Sequence, residues 1–336
     1  MTPTDTRPLL GEDAIVQTFL APLAQGLPGA FGLRDDCAAL SIPPGCELVI
    51  KTDPVRAGVH FLVDDRPEDI AWKALAVNVS DLAAKGAEPL AYTLALSFPE
   101  RPTRDWMQRF ARGLAEAQAA FGCQLCGGDT DHAPGPLSIA VPAFGVIPTG
   151  RMIRRGTAQP SDCILVSGTI GDAALGLAVR QSAAEIASWP IDGPTRDQLR
   201  QRYLRPNPRL VLRDLLRRYA TAAMDVSDGL IKDLDRLCRA SHVGAQADLM
   251  AVPLSVAARA IAGADDAIQR RLVTHGDDYE ILCTMPKTAV VAAQGLARMA
   301  GIPLTVIGHI QAGHDVAWRD ANGSLIIWDR PGYDHF

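Results

Sequence analysis

The chain has 336 residues, 48% hydrophobic and 21% charged, with a formal net charge of −5. That length exceeds one ordinary core and implies two domains. Without a basic patch or an acidic tail, nucleic acid is not an expected partner, and no apolar run is long enough to span a bilayer. Residues 1–10 carry Asp5 and two prolines and lack a basic region followed by an apolar stretch, so they do not read as a signal peptide. Seven cysteines, an odd number scattered along the chain, fit a reducing compartment, and a cytoplasmic location is expected.

Residues 47–53 read as a strand that ends on Asp53. Residues 67–85 read as a helix, with Pro67 at the first helical position and Gly86 closing the end. Apolar residues recur there at helical spacing, and Asn78, Asp81 and Lys85 share one face of an amphipathic helix. A strand follows at 90–98 and a helix at 103–121, with Leu114, Ala117 and Phe121 on one side. A short strand at 124–126 runs into Gly127-Gly128-Asp129, and residues 137–147 read as one more strand. The polar, Gly/Pro-punctuated stretch 148–162 marks a boundary, giving domains 1–150 and 151–336. The second half restarts with a strand at 163–167, then Gly168-Thr169-Ile170-Gly171 and a helix from Asp172. A strand at 223–226, a helix at 230–240 and strands at 280–285 and 304–310 with a helix between complete it. Both halves are mixed, so the fold class is α/β (α+β), with mixed sheets packed with helices.

Five short acidic motifs carry the chemistry: Asp35-Asp36, Lys51-Thr52-Asp53, Asn78-Val79-Ser80-Asp81, Gly127-Gly128-Asp129-Thr130 and Asp225-Val226-Ser227-Asp228-Gly229. Carboxylates beside glycine or small polar residues suit magnesium, a hard cation with oxygen ligands, and several such ions point to a polyphosphate. Each motif also has a plain structural reading. Asp35-Asp36 fits a turn, Asp53 a solvated strand end, and Asp81 an ion pair with Lys85 four residues on. Gly127-Gly128 brings backbone N–H groups close to a ligand, or simply makes a tight turn. Ser227 or Asp228 caps the helix that follows, and a helix N-terminus is also an anion site. Gly168-Thr169-Ile170-Gly171 matches no nucleotide-binding pattern and reads as a strand-to-helix turn. Cys123-x-x-Cys126 has no second pair and no nearby His, which leaves small buried hydrophobes as the better reading. No nucleophile–base arrangement stands out, and His60, His242, His275 and His309 are isolated.

The order and spacing of these motifs resemble the thiamine-monophosphate kinase family, within the superfamily of aminoimidazole ribonucleotide synthetase. The resemblance also rests on Gly11-Glu12, Ala57-Gly58-Val59-His60-Phe61, Leu204-Arg205-Pro206, Gly276-Asp277-Asp278-Tyr279-Glu280 and Gly332-Tyr333-Asp334-His335-Phe336. It implies a two-domain aminoimidazole ribonucleotide synthetase-like architecture and pairing with a second copy of the chain as a homodimer. It implies ATP as co-substrate, held with several Mg2+ ions, and thiamine monophosphate as phosphoryl acceptor. Carried over by motif, Asp36, Lys51, Thr52, Asp53, Asp81, Asp129, Asp225 and Asp228 fall on metal positions. Gly128, Asp129, Arg155 and Ser227 fall on ATP positions, and His60, Asp277 and Tyr333 on substrate positions.

A phosphate oxygen is already anionic near neutral pH, so this reaction requires no general base, in keeping with many carboxylates and no triad. The chain departs from the family at several points. Arg34 stands where glycine usually precedes the paired aspartates, and Lys51 where serine commonly precedes Thr-Asp. A backbone carbonyl at position 51 would leave the metal site intact; a required hydroxyl would weaken it. His275 replaces a glycine, and Asp277 a glutamate one methylene longer. Two rivals stand beside this reading: a superfamily enzyme with another acceptor, and a nucleotide-binding protein without turnover.

Overall fold

The structure is a computed structural model that describes residues 11–263, 265–328 and 331–334. The reading of residues 1–10 and the His335-Phe336 end of the last motif lie outside the described residues. The chain divides into two compact units, one from residues up to 82 with 87–150, the other from 83–86 with 151 onward. Among the described residues no helix is long and apolar enough to cross a membrane.

In the first unit a short helix α1 (Glu12–Ile15) runs into one wide π-helical turn (Val16–Leu20) and then two tight 3-10 turns that end at Leu33. Then come β1 (Cys46–Lys51), β2 (Pro54–Arg56), α2 (Pro67–Ala84), β3 (Glu88–Phe98), α3 (Arg104–Phe121), β4 (Gln124–His132), β5 (Ser138–Ala140) and β6 (Ala143–Pro148). The sheet runs β1-β6-β3-β5-β2, with β4 on the other side of β3. The β3–β4 pair is parallel and the others are antiparallel.

The stretch expected as one strand at 137–147 is two. Pro142 has no N–H to give the ladder, so pairing stops there. The Thr93 N–H instead donates to the Pro142 carbonyl (2.9 Å), and β5 and β6 each pair with a different half of β3. Helix α3 follows its sequence signals. The Thr103 hydroxyl accepts the Trp106 N–H, Gly122 closes the helix at φ 72°, and Met107, Phe110, Leu114, Ala117 and Phe121 form its buried stripe.

Helix α2 is not amphipathic. Ile70, Ala71, Ala74, Leu75, Val77, Val79 and Leu82 are buried, and so are Asn78 and Ser80. The helix is buried on nearly all sides, which makes each polar group on it costly unless partnered. Gly113 lets α3 approach α2 closely, because a Cβ there would overlap the Glu68 backbone. Glu68 is paired at the same crossing by Arg109 (3.0 Å) and Arg112.

The second unit contains β7 (Cys163–Ser167), α4 (Asp172–Arg180), α5 (Gly193–Leu204), α6 (Arg213–Tyr219), β8 (Ala222–Asp225), α7 (Leu230–Ser241) and β9 (Gly244–Asp248). It continues with α8 (Val256–Ala262), α9 (Asp266–Thr274), β10 (Ile281–Met285), α10 (Lys287–Met299), β11 (Leu304–Gln311), β12 (Val316–Arg319) and β13 (Leu325–Ile326). The seven-stranded sheet has the order β13-β12-β9-β11-β7-β10-β8, and only its β9–β12 pair is parallel. Alternate residues feed two cores. Ile164, Val166, Met224 and Leu282 join Leu230, Leu234 and Leu237 of α7 on one face. Leu165, Ala223, Ile281 and Cys283 join Leu216 of α6 and Ala293 of α10 on the other.

Candidate active site

The first constellation in the first unit joins β1 to α2. Thr52 and Asp53 fill the short gap between β1 and β2 and are exposed. The buried Asn78 side chain grips the Asp53 backbone twice: Oδ1 accepts its N–H (2.6 Å) and Nδ2 donates to its carbonyl (3.1 Å). The Lys51 ammonium lies 2.9 Å from Asp53 Oδ2 and 2.8 Å from Asp81 Oδ2. The expected Asp81–Lys85 pair is replaced by this arrangement, and Lys85 Nζ donates to the Ala223 carbonyl (2.7 Å). Burial opposes the charge on Lys51, but Asp81 and Asp53 together hold its pKa above the ordinary value. Partial burial raises the Asp53 carboxyl above its ordinary value; Lys51 pulls it back and Asp81 adds to the rise. His60 sits in a turn, and its Nδ1 accepts the Arg56 N–H (3.1 Å), which leaves Nε2 as the protonated nitrogen of the neutral ring.

The second constellation is a cleft of about 850 Å³ that brings Asp36 together with Gly128 and Asp129. Arg34, Asp35, Thr130 and, from the N-terminal turns, Glu12 and Asp13 line it too. Gly127-Gly128-Asp129-Thr130 is not a turn after a strand. It lies inside β4, with Gly127 opposite Thr93 and Asp129 opposite Ala95, after a register shift between Tyr92 and Thr93. A Cβ at Gly128 would overlap the Leu94 carbonyl, so glycine permits the strands to pair here. The exposed Asp129 carboxylate accepts the Thr130 N–H (2.9 Å). Cys126 also lines the cleft, while Cys123 is buried and its thiol is pushed up to about 12 by burial, which makes it a packing residue rather than a nucleophile.

In the second unit one loop cluster collects Asp225, Ser227, Asp228, Asp277 and Tyr333. Asp225 ends β8, buried and opposite Ile281. The Asp277 N–H donates to the Ser227 carbonyl (2.9 Å), the Tyr279 N–H to the Val226 carbonyl (2.8 Å) and the Tyr333 N–H to the Asp228 carbonyl (2.9 Å). Asp277 is held at φ 71°, in the left-handed region, and its Oδ1 accepts the Tyr279 hydroxyl (3.1 Å). Arg155 is placed elsewhere. Its carbonyl accepts from Ser241 at the far end of α7 (2.9 Å), roughly 17 Å of helix from Asp228.

Neither Ser227 nor Asp228 caps α7. Gly229 is the cap residue, and the Ser227 and Asp228 N–H groups both donate to Asp233 Oδ2 (3.0 Å each) from inside the helix. Asp233 thus takes the two backbone N–H groups that lie just ahead of the α7 cap. Burial pushes the Asp233 carboxyl up to about 6, against the pull of these N–H donors and of Arg236. Asp278 does the same at α4: it accepts the Gly171 N–H (2.9 Å), so Gly168-Thr169-Ile170-Gly171 is a strand-to-helix turn. Glu280 is buried between Arg202 (3.0 Å) and Arg209 (Nε, 2.7 Å) and accepts the Ser167 hydroxyl (2.6 Å).

Asp53 and Asp81 form a donor set that suits a hard cation, since both carboxylates already converge on a positive charge. Among the described residues no group of three or more His, Cys, Asp or Glu side chains converges at metal-binding geometry. Sequence reasoning missed Asp233, and it missed Asn78 as the clamp on Asp53. Asn78 was detectable as an amide inside an apolar helix run; Asp233 gave no signal beyond its position one turn into α7.

Residues 34–147 match the model of AIR synthase related protein, N-terminal domain, and residues 159–320 that of its C-terminal domain. The chain is 41% identical over 305 residues to the thiamine-monophosphate kinase of Escherichia coli, covering 91% of each. The chain belongs to the thiamine-monophosphate kinase family. It is 39% identical over 320 residues to the Caulobacter vibrioides member, covering 93% of this chain and 89% of that one. The crystal structure of thiamine-monophosphate kinase from Stenotrophomonas maltophilia superposes with a TM-score of 0.79 at 41% identity, covering 87% of this chain and 90% of that one. AaThiL complexed with AMPPCP and TMP superposes with a TM-score of 0.75 at 29% identity, covering 90% and 91%. The expected two-domain architecture with mixed sheets packed with helices is the one this family has.

Proposed function

We propose that this chain transfers the γ-phosphoryl group of ATP to thiamine monophosphate, giving thiamine diphosphate and ADP, the last step of thiamine diphosphate biosynthesis. The observation that carries it is the 41% identity to a thiamine-monophosphate kinase over 91% of the chain. The site chemistry agrees. An acceptor that is itself a phosphate needs no base, so carboxylates, glycine backbone and basic groups suffice for the chemistry. Catalysis then consists of positioning and charge neutralisation.

Asp36, Gly128 and Asp129 share one cleft of the first unit, where Gly128 and Asp129 would meet ATP and Asp36 and Asp129 would hold Mg2+. Thr52, Asp53 and Asp81, with Lys51 beside them, would contribute to Mg2+ sites through the oxygens that the Lys51 ammonium leaves open, as would Asp225 and Asp228 in the second unit. Magnesium, when bound, neutralises charge that builds on the phosphate oxygens. Ser227 is assigned to ATP, and Asp277 and Tyr333, which meet the same loop, to thiamine monophosphate. His60 is assigned to the substrate phosphate on its motif. Arg155 stays an ATP candidate on its motif alone. A homodimer is supported by edge strand β1, where Ile50 is 62% exposed on a solvent-facing row with Leu48. A cytoplasmic location agrees with the cysteine content.

The test is incubation of the purified chain with ATP, magnesium and thiamine monophosphate. Thiamine diphosphate and ADP in equal amounts are expected. ADP formed only with another acceptor, or ATP binding without product, would overturn the assignment.

A further inference from the structure

Lys51 is more than a neighbour of the acidic motifs. Its ammonium lies between two carboxylates that come from different elements, the end of β1 and the last turn of α2. Each Nζ–Oδ2 distance, 2.9 and 2.8 Å, is that of a charge-assisted hydrogen bond. Asn78 fixes the Asp53 backbone, and Asp81 is carried on a buried helix, so both acceptors are held in place. Two of the three ammonium N–H groups point at carboxylates, which leaves a third for an anionic oxygen. Lys51 keeps 28% of its side chain exposed and Asp53 51%, so the group is open on one side. A divalent ion on the same two oxygens would sit about 2.0–2.1 Å from each, directly against the ammonium, and the two positive charges would repel.

We propose that Lys51 is a resident cation that takes the place of one divalent ion between Asp53 and Asp81 and presents its remaining N–H to a phosphate oxygen. The proposal rests on the phosphoryl-transfer reading above. It deepens that reading by giving this chain one fewer divalent ion at this pair of carboxylates than the pair alone would bind.

The test counts ions directly. Mn2+ bound per chain is measured by electron paramagnetic resonance, with and without a non-hydrolysable ATP analogue, for the wild type, Lys51→Met, Lys51→Ser and Lys51→Arg. Lys51→Met retains the alkyl stem, and Lys51→Arg retains the charge. One additional Mn2+ per chain is expected in Lys51→Met and Lys51→Ser, none in Lys51→Arg, and the additional ion should vanish when Asp81→Asn is added to Lys51→Ser. Equal counts in wild type and both uncharged variants would overturn the proposal. Failure of the functional reading is seen separately, as absence of thiamine diphosphate in the product assay, while the ion count without nucleotide still reports on Lys51.

Discussion

Asn78 holds Asp53 by both main-chain polar groups, its Oδ1 accepting the Asp53 N–H and its Nδ2 donating to the Asp53 carbonyl. The amide is fully buried and also donates to the Ala74 carbonyl (3.1 Å). Asn78→Asp keeps the shape but replaces Nδ2 by an acceptor that faces two carbonyls. It should destabilise the chain by about 2 kcal/mol and lower turnover, because Asp53 loses its fixed backbone. Urea unfolding and the product assay check this. Unchanged stability would mean that the clamp is not needed.

Gly128→Ala should harm the cleft through the backbone. The added Cβ would overlap the Leu94 carbonyl, and strand pairing leaves no flexible side chain to move aside. A loss of about 2 kcal/mol or more is expected, with weaker ATP-analogue binding. Gly127→Ala is the control, since a Cβ there meets only the Thr93 methyl at 3.7 Å. Thermal unfolding of the two variants should separate them clearly.

Glu68 predicts how stability responds to acid. Burial by itself would raise its pKa, but hydrogen bonds from Arg109 and Arg112 outweigh this and hold it at about 2, against 4.5 for a free glutamate. A depressed folded pKa gives stability that is complete above about pH 4.5 and lost as the pH falls through about 2. The size is about 2–3 kcal/mol, trimmed because Arg112 is 58% exposed. Glu68→Gln should be less stable at pH 7 and should show a shallower decline between pH 4.5 and 2 in denaturant titrations. A parallel decline in both proteins would remove Glu68 as its source.

Asp277 sits at φ 71°, which aspartate and asparagine tolerate and β-branched residues do not. Asp277→Asn should leave the unfolding midpoint unchanged and raise the KM for thiamine monophosphate about tenfold, the loss expected for one charged hydrogen bond. Asp277→Val should lose a further 1–2 kcal/mol of stability, roughly, from strain. Steady-state kinetics beside thermal melts distinguish the two effects. An unaltered KM in Asp277→Asn would take the residue out of the substrate site.

Helix α3 was legible because its signals are local: the Thr103 cap, the buried stripe at spacings of three and four, and the closing Gly122. Helix α2 was legible in extent but not in character. Its apolar residues fit a helical face, yet the opposite face is buried as well, and burial on a second side depends on neighbours distant in sequence. Asp36, Gly128 and Asp129 were each visible as motif residues, and the cleft joins them. The strand through Gly127-Gly128-Asp129 was not visible, because two glycines read as a turn until β3 is there to pair with them.

The sequence by itself determined the longer helices of the first half, several strands, the acidic motifs and the family to which they belong, since caps, periodicity and motif spacing are properties of neighbouring residues. Tertiary structure alone decided which charge each carboxylate meets. Asp81 lies four residues from Lys85 yet pairs with Lys51, and the N–H groups of Ser227 and Asp228 are taken by Asp233. Both outcomes follow from the same physics: a charge on a mostly buried element goes to whichever counter-charge the packed backbone brings within hydrogen-bond reach, and chain spacing does not encode that distance.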